Sequence, residues 1–215
     1  MSAPSRDEGG RALKYLRGFP LQAGDTNENP PGIGFVALVK EDFRTYDCDW
    51  RSPGFWAVAV HRFGNLRMRV RNRWLRAPLT LAYRIAFFAV LMAFGIELPY
   101  NARIGRRFYL GHHGGVHMGA RAVGDDVCIH HTATIGLARR SERGTAPTIG
   151  NRVEIGPGAC IIGDIEVGDD CYVGANTVLG FSIPPGTSVL GAPARVAEIA
   201  DCDAPRSSGG GAIHA

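Results

Sequence analysis

Five histidines crowd one stretch of this chain: His112, His113, His117, His130 and His131. Histidine changes charge near neutral pH, so it serves as a general base, and its imidazole also ligates metals. Glu97 lies fifteen residues before His112. A carboxylate beside an imidazole holds its orientation and stabilises its protonated form. His112 and His117 are five apart, and imidazole suits zinc. A zinc site with His130 or His131 as third ligand is therefore an alternative use of the same cluster.

The histidines lie in a stretch with a six-residue period, from about Leu98 to Ile183. Every sixth residue from Ile149 is aliphatic: Ile155, Ile161, Val167, Val173, Leu179. Four residues after each of these positions comes a small or β-branched set: Val153, Ala159, Ile165, Cys171, Thr177, Ile183. The same phase runs earlier through Leu98, Ile104, Leu110 and Val116, then slips by one residue to Val123, Ile129 and Ile135. A period of six fits neither a helix nor a single strand. It predicts a triangular parallel β-helix, with one aliphatic residue from each side pointing inward and each coil stacked on the next. The glycines that follow the aliphatic residues, such as Gly150, Gly156, Gly168 and Gly174, are expected at corners with positive φ. Three six-residue sides make a coil of about eighteen, so Glu97 and His112 fall just under one coil apart. His131 falls one coil plus the slip after His112.

The 215 residues allow one or two domains, and 45% hydrophobic content is ample for a core. A net charge of +4 suits anionic small molecules and does not imply nucleic acid. The five cysteines show no CxxC spacing, Cys171 reads as a core residue, and a reduced compartment is expected. The polar N-terminus has no apolar signal region, so a cytoplasmic location is expected.

Residues 1–35 are rich in Gly, Pro, Ser and charge and predict a disordered segment. Residues 36–96 predict a helical domain: a short helix at Val36–Tyr46, then a helix that starts at Ser52-Pro53 and runs to Met68. A basic run follows, and after Pro78 an apolar segment, Leu79–Ile96, contains only Arg84 as a charge. That segment has the length of a membrane span. Arg84 and the β-helix directly after it favour a helix buried at a subunit interface. Peripheral contact with the inner face of a membrane, through the arginines and anionic head groups, is the other reading. Residues 97–196 form the β-helix domain, and 197–215 predict a flexible tail.

The coil ending in Pro184-Pro185-Gly186-Thr187 and Gly191-Ala192-Pro193-Ala194-Arg195, with Pro53-Gly54-Phe55-Trp56-Ala57 and His61-Arg62 before it, resembles the serine acetyltransferases among the hexapeptide acyltransferases. The resemblance covers residues 50–197. It implies a left-handed parallel β-helix, a homotrimer or dimer of trimers, and acetyl-CoA as donor to a hydroxyl acceptor, with no metal. Leu110-Gly111-His112-His113-Gly114 is similar to the family's catalytic segment, which places His112 at the general base and Glu97 at its carboxylate partner. Where the family has an Asp before that histidine this chain has Gly111, and where it has an Arg-His pair before a Pro it has Thr145-Ala146. Those departures open a second acceptor class, a hydroxyl on a sugar or polysaccharide precursor. His113 and His131 are the replacement acceptor contacts. On the donor side the resemblance implies Leu137, Pro157 and Ala175 at equivalent corners along the pantetheine arm, Arg139 in a projecting loop, and Arg195 toward the CoA phosphates. The five-residue spacing of His112 and His117 also resembles γ-type carbonic anhydrases, although that family's upstream histidine is missing. A non-catalytic scaffold is the remaining alternative.

Overall fold

The computed structural model describes residues 28–111, 114–136 and 146–191. Among the described residues three helices come first: α1 (Phe35–Thr45), α2 (Pro53–Met68) and α3 (Arg73–Phe94). Ser52 precedes α2 in an extended conformation with Pro53 at the first helical position, but its hydroxyl makes no capping bond. α3 starts well before the expected Leu79, because Asn72 Oδ1 accepts the Trp74 N–H and starts the helix there. It ends on Gly95, whose φ of 65° closes the last turn. Asn29, inside the segment expected to be disordered, is buried and donates its side-chain amide to the Arg62 carbonyl.

The strands then wind through three parallel sheets. One face stacks β1 (Ile96–Glu97), β4 (Val116–Met118), β7 (Thr134–Gly136), β10 (Cys160–Ile162) and β13 (Val178–Leu179). The second stacks β2 (Arg103–Ile104), β5 (Ala122–Val123), β8 (Thr148–Ile149) and β11 (Glu166–Val167). The third stacks β3 (Tyr109–Leu110), β6 (Cys128–Ile129), β9 (Glu154–Ile155), β12 (Tyr172–Val173) and β14 (Ser188–Val189). This is the triangular coil that the period of six predicts. Both aliphatic and small repeat positions point inward: Ile155, Ile161, Val167, Val173 and Leu179 are fully buried, and Ala159, Cys171 and Thr177 nearly so.

The repeat glycines have a different cause from the one expected. Gly150, Gly156, Gly168 and Gly174 do not have positive φ. They are needed because the next coil lies against them: a Cβ on Gly156 would stand 2.7 Å from the Ala175 nitrogen. The left-handed corner conformation falls two residues later, on Asp126, Arg152 and Asp170, with φ of 58°, 53° and 56°. Asp is among the non-glycine residues that enter that region most readily; Arg152 there bonds Asp170 on the next coil at 2.6 Å.

The helices are fastened to the first coil by polar bonds. Arg62 has no solvent exposure, bonds Asp42 Oδ2 at 3.0 Å, and donates to the carbonyls of Ile104 and Gly105 at 2.8 and 2.6 Å. His61 is enclosed beside it. Its Nδ1–H donates to the Pro99 carbonyl and its Nε2 accepts from Asn65, which fixes the neutral tautomer, and burial pushes its pKa down to about 3. Tyr46 stacks on Tyr109, and its hydroxyl accepts the Leu110 N–H at 2.9 Å.

Candidate active site

β1 and β4 each carry one titratable side chain outward. Alternation puts Ile96 and Leu98 inside and Glu97 outside; one coil later it puts Val116 and Met118 inside and His117 outside. Parallel pairing then sets Glu97 directly against His117. Because a carboxylate only accepts, His117 Nδ1–H donates to Glu97 Oε2, at 2.8 Å. That bond holds the Glu97 carboxyl below the usual carboxylate range and raises His117 above the usual histidine value, with burial opposing both shifts. Nε2 is left as the acceptor nitrogen, and no described residue bonds to it. It faces Gly136: a methyl group there would sit 3.8 Å away.

The alignment of these residues depends on an irregular coil. Leu110 to Met118 is eight residues where the repeat is six, and Met118 to Val123 is five. The single-residue slip read from the sequence is therefore two residues gained and one lost. The gain makes the spacing of Glu97 and His117 twenty rather than eighteen. It falls on the segment that holds His112 and His113, which lie outside the described residues.

The corner between the third face and the first forms a vertical edge beside this pair. Gly114, Thr132, His131, Gly158, Pro157 and Asn176 are linked there coil to coil by backbone bonds: Thr132 N–H to the Gly114 carbonyl, Gly158 N–H to that of His131, and Asn176 N–H to that of Pro157. His131, Pro157 and Ala175 thus share one edge. Gly136 ends β7 on the first face, whereas Pro157 and Ala175 follow strands of the third face, so equal positions in the hexapeptide recur at different corners. Ile135 to Ile149 takes fourteen residues instead of six. Leu137 itself, Arg139 and Arg195 lie outside the described residues.

The two departures from the expected acceptor pattern have structural correlates. His130 packs beneath Gly111, where a Cβ would approach its Nδ1 to 3.3 Å. His130 also meets Glu154 at 3.3 Å. Ala146 is buried with 7% exposure and brings no polar atom to the place where the resemblance expects a histidine. Among the described residues, no three His, Cys, Asp or Glu side chains converge as a metal site.

The family model for the bacterial transferase hexapeptide (six repeats) matches residues 146–180. A serine acetyltransferase of Mycobacterium tuberculosis is 37% identical over 145 residues, which are 67% of this chain and 60% of that protein. The structure of the soybean serine acetyltransferase apoenzyme matches with a TM-score of 0.63 at 31% identity, over 75% of this chain and 68% of that one. The chain belongs to the serine acetyltransferase family. Its β-helix is accordingly the left-handed kind. A second kind of relative of these acetyltransferases also matches: a putative colanic acid biosynthesis acetyltransferase of Escherichia coli (strain K12), 40% identical over 131 residues, 60% of this chain and 78% of that protein. The chain spans only 60% of the length of the Mycobacterium tuberculosis family member.

His117 as the bonded partner of Glu97 is a feature of the candidate site that sequence reading missed. A signal was present: the triplet Val116-His117-Met118 alternates just as Ile96-Glu97-Leu98 does. Counting in strict sixes concealed it.

Proposed function

We propose that this chain is an acetyl-CoA-dependent O-acetyltransferase of the serine acetyltransferase type, in which a histidine held by Glu97 acts as general base. The carrying observation is the ionised Glu97 carboxylate on the outer face of the coil, bonded to an imidazole and next to the root of the inserted loop. In the reaction the base removes the proton from the acceptor hydroxyl as its oxygen bonds the acetyl carbonyl carbon. The carbon–sulfur bond then breaks and the CoA thiolate is protonated. A hydroxyl is a poor nucleophile without such a base. Glu97 orients the ring and stabilises the imidazolium.

The family resemblance gives the base role to His112, with Glu97 as its carboxylate partner. The 2.8 Å bond to His117 favours a second reading, in which His117 is the base and its Nε2 takes the proton. Turnover of His112→Ala and His117→Ala separates the two. Loss of about 10²-fold or more marks the base. Ordinary turnover in both variants would end the histidine mechanism.

The acceptor follows from the same site. Relatives named for serine support serine. Gly111 and the buried Ala146 remove two polar contacts expected for an amino acid, and the relative named for colanic acid biosynthesis supports a sugar hydroxyl. A site that lacks such contacts loses its acceptor by large factors, so we place the acceptor among sugar or polysaccharide-precursor hydroxyls. Thiol release from acetyl-CoA across L-serine, homoserine and a sugar panel tests this. A serine kcat/KM of about 10⁴ M⁻¹s⁻¹ or above would restore serine.

The donor reading keeps Pro157 and Ala175 along the pantetheine arm, Arg139 in the loop that covers the donor, and Arg195 toward the phosphates. The working unit is a homotrimer, alone or as a dimer of trimers, with the site in the cleft between neighbouring coils. Light scattering that finds an active monomer would exclude this assembly.

A further inference from the structure

We infer that the outer face of α3 docks on the surface of an anionic membrane, with the helix lying in the plane of the bilayer. α3 is long and apolar enough to cross a membrane. Its packing argues against crossing. Tyr83 and Val90 are buried against the rest of the molecule, and the Tyr83 hydroxyl accepts the Tyr100 N–H at 3.2 Å. The Arg67 guanidinium lies 4.5 Å from the Tyr83 ring centre and 4.4 Å from that of Tyr100. A spanning helix would have to break the contacts of Tyr83 and Val90, and the β-helix begins at once at Ile96.

The opposite face is apolar and open. Trp74, Pro78, Leu81, Ile85, Phe88 and Met92 recur at intervals of four and three, so they form one seam along the helix. Trp74, Leu81, Ile85, Phe88 and Met92 are each at least 60% exposed. A contiguous seam of this kind calls for a partner surface.

Charge selects the partner. No Asp, Glu or Lys occurs between Asp49 and Glu97, while eight arginines do. Arg69, Arg71, Arg73 and Arg84 are exposed, and none forms an ion pair with a described residue. Arg73 and Arg84 lie roughly 80–100° round the helix from the seam at 3.6 residues per turn. An in-plane helix places its cations there, beside phosphate head groups, with its apolar side chains in the acyl boundary. A second copy laid antiparallel on this seam would bring the two arginine flanks to one side, like charge beside like charge. An anionic lipid surface meets the apolar seam and the charge together.

The test is co-sedimentation of the full chain with vesicles of phosphatidylglycerol and phosphatidylcholine, compared with phosphatidylcholine alone. Expected are binding at least about tenfold tighter to the anionic vesicles, weakening in high salt, and a blue shift of tryptophan emission. Ile85→Glu/Phe88→Glu should abolish binding, and Arg71→Gln/Arg73→Gln/Arg84→Gln should remove the preference for anionic lipid. Both variants change exposed side chains, and an unchanged thermal midpoint confirms that they fold. Equal binding to both vesicle types, or none, overturns the inference. So does an Ile85→Glu/Phe88→Glu variant that keeps binding vesicles, or one that loses only oligomeric mass by light scattering, which would show a second copy on this face.

Discussion

Glu97 and His117 stand twenty residues apart in the chain and 2.8 Å apart in space, because one irregular turn of the coil brings their strands into parallel register. The pair couples a carboxylate held low to an imidazole held high, and so it sets a pH range for any chemistry done there.

For His117 the sign is fixed by direction. Its raised pKa means that a neutral ring, the form able to accept a proton, appears only above the ordinary value of about 6.5. If His117 is the base, kcat/KM rises with pH through a midpoint above about 6.5, and Glu97→Gln moves that midpoint down. If His112 is the base, Glu97→Gln lowers the rate but the His117→Gln profile keeps its midpoint. The stability contributed by the pair is fully present between about 4.3 and 6.5, the ordinary values of the two groups. It is lost on acidification through the lowered Glu97 value and on alkalisation through the raised His117 value. With the side chains 40% and 45% exposed, the rate profile is the more sensitive measurement.

The junction of helices and coil should depend on Arg62. Asp42→Ala leaves a guanidinium with no solvent exposure without its counter-charge. A loss of about 3–5 kcal/mol is expected in denaturant unfolding. A loss below about 1 kcal/mol would mean that water reaches the guanidinium.

The interior column should respond as a packed core. Ile161 is fully buried between Ile135 and Leu179. Ile161→Ala should cost about 2–5 kcal/mol. Glu166→Ala, on an outward position of β11, should stay within about 0.5 kcal/mol.

The donor edge gives a kinetic prediction. Ala175 is exposed at the corner above Pro157. Ala175→Phe should raise the KM for acetyl-CoA several-fold while leaving the thermal midpoint and saturating rate unchanged. An unchanged KM would move the donor to another corner.

The coil was legible in the sequence because a six-residue unit cannot bury its own aliphatic residue, so Ile149 through Leu179 had to repeat in phase for a column to form. The same logic put Cys171 inside, and proline's fit to a first helical position put Pro53 at the start of α2. What required the tertiary structure was every relationship that depends on counting across an irregularity. The two residues gained before Met118 aligned Glu97 with His117, and the eight added after Ile135 separate β7 from β8 without changing the order of the faces. Neither insertion disturbs the local alternation that sequence reports. The role of the repeat glycines was hidden for a related reason: the constraint on Gly156 comes from the Ala175 backbone one coil away. α3 shows the limit most plainly. Its composition read as a helix to be buried, yet only the packing of Tyr83 and Val90 on one side decided which seam was left to meet something else.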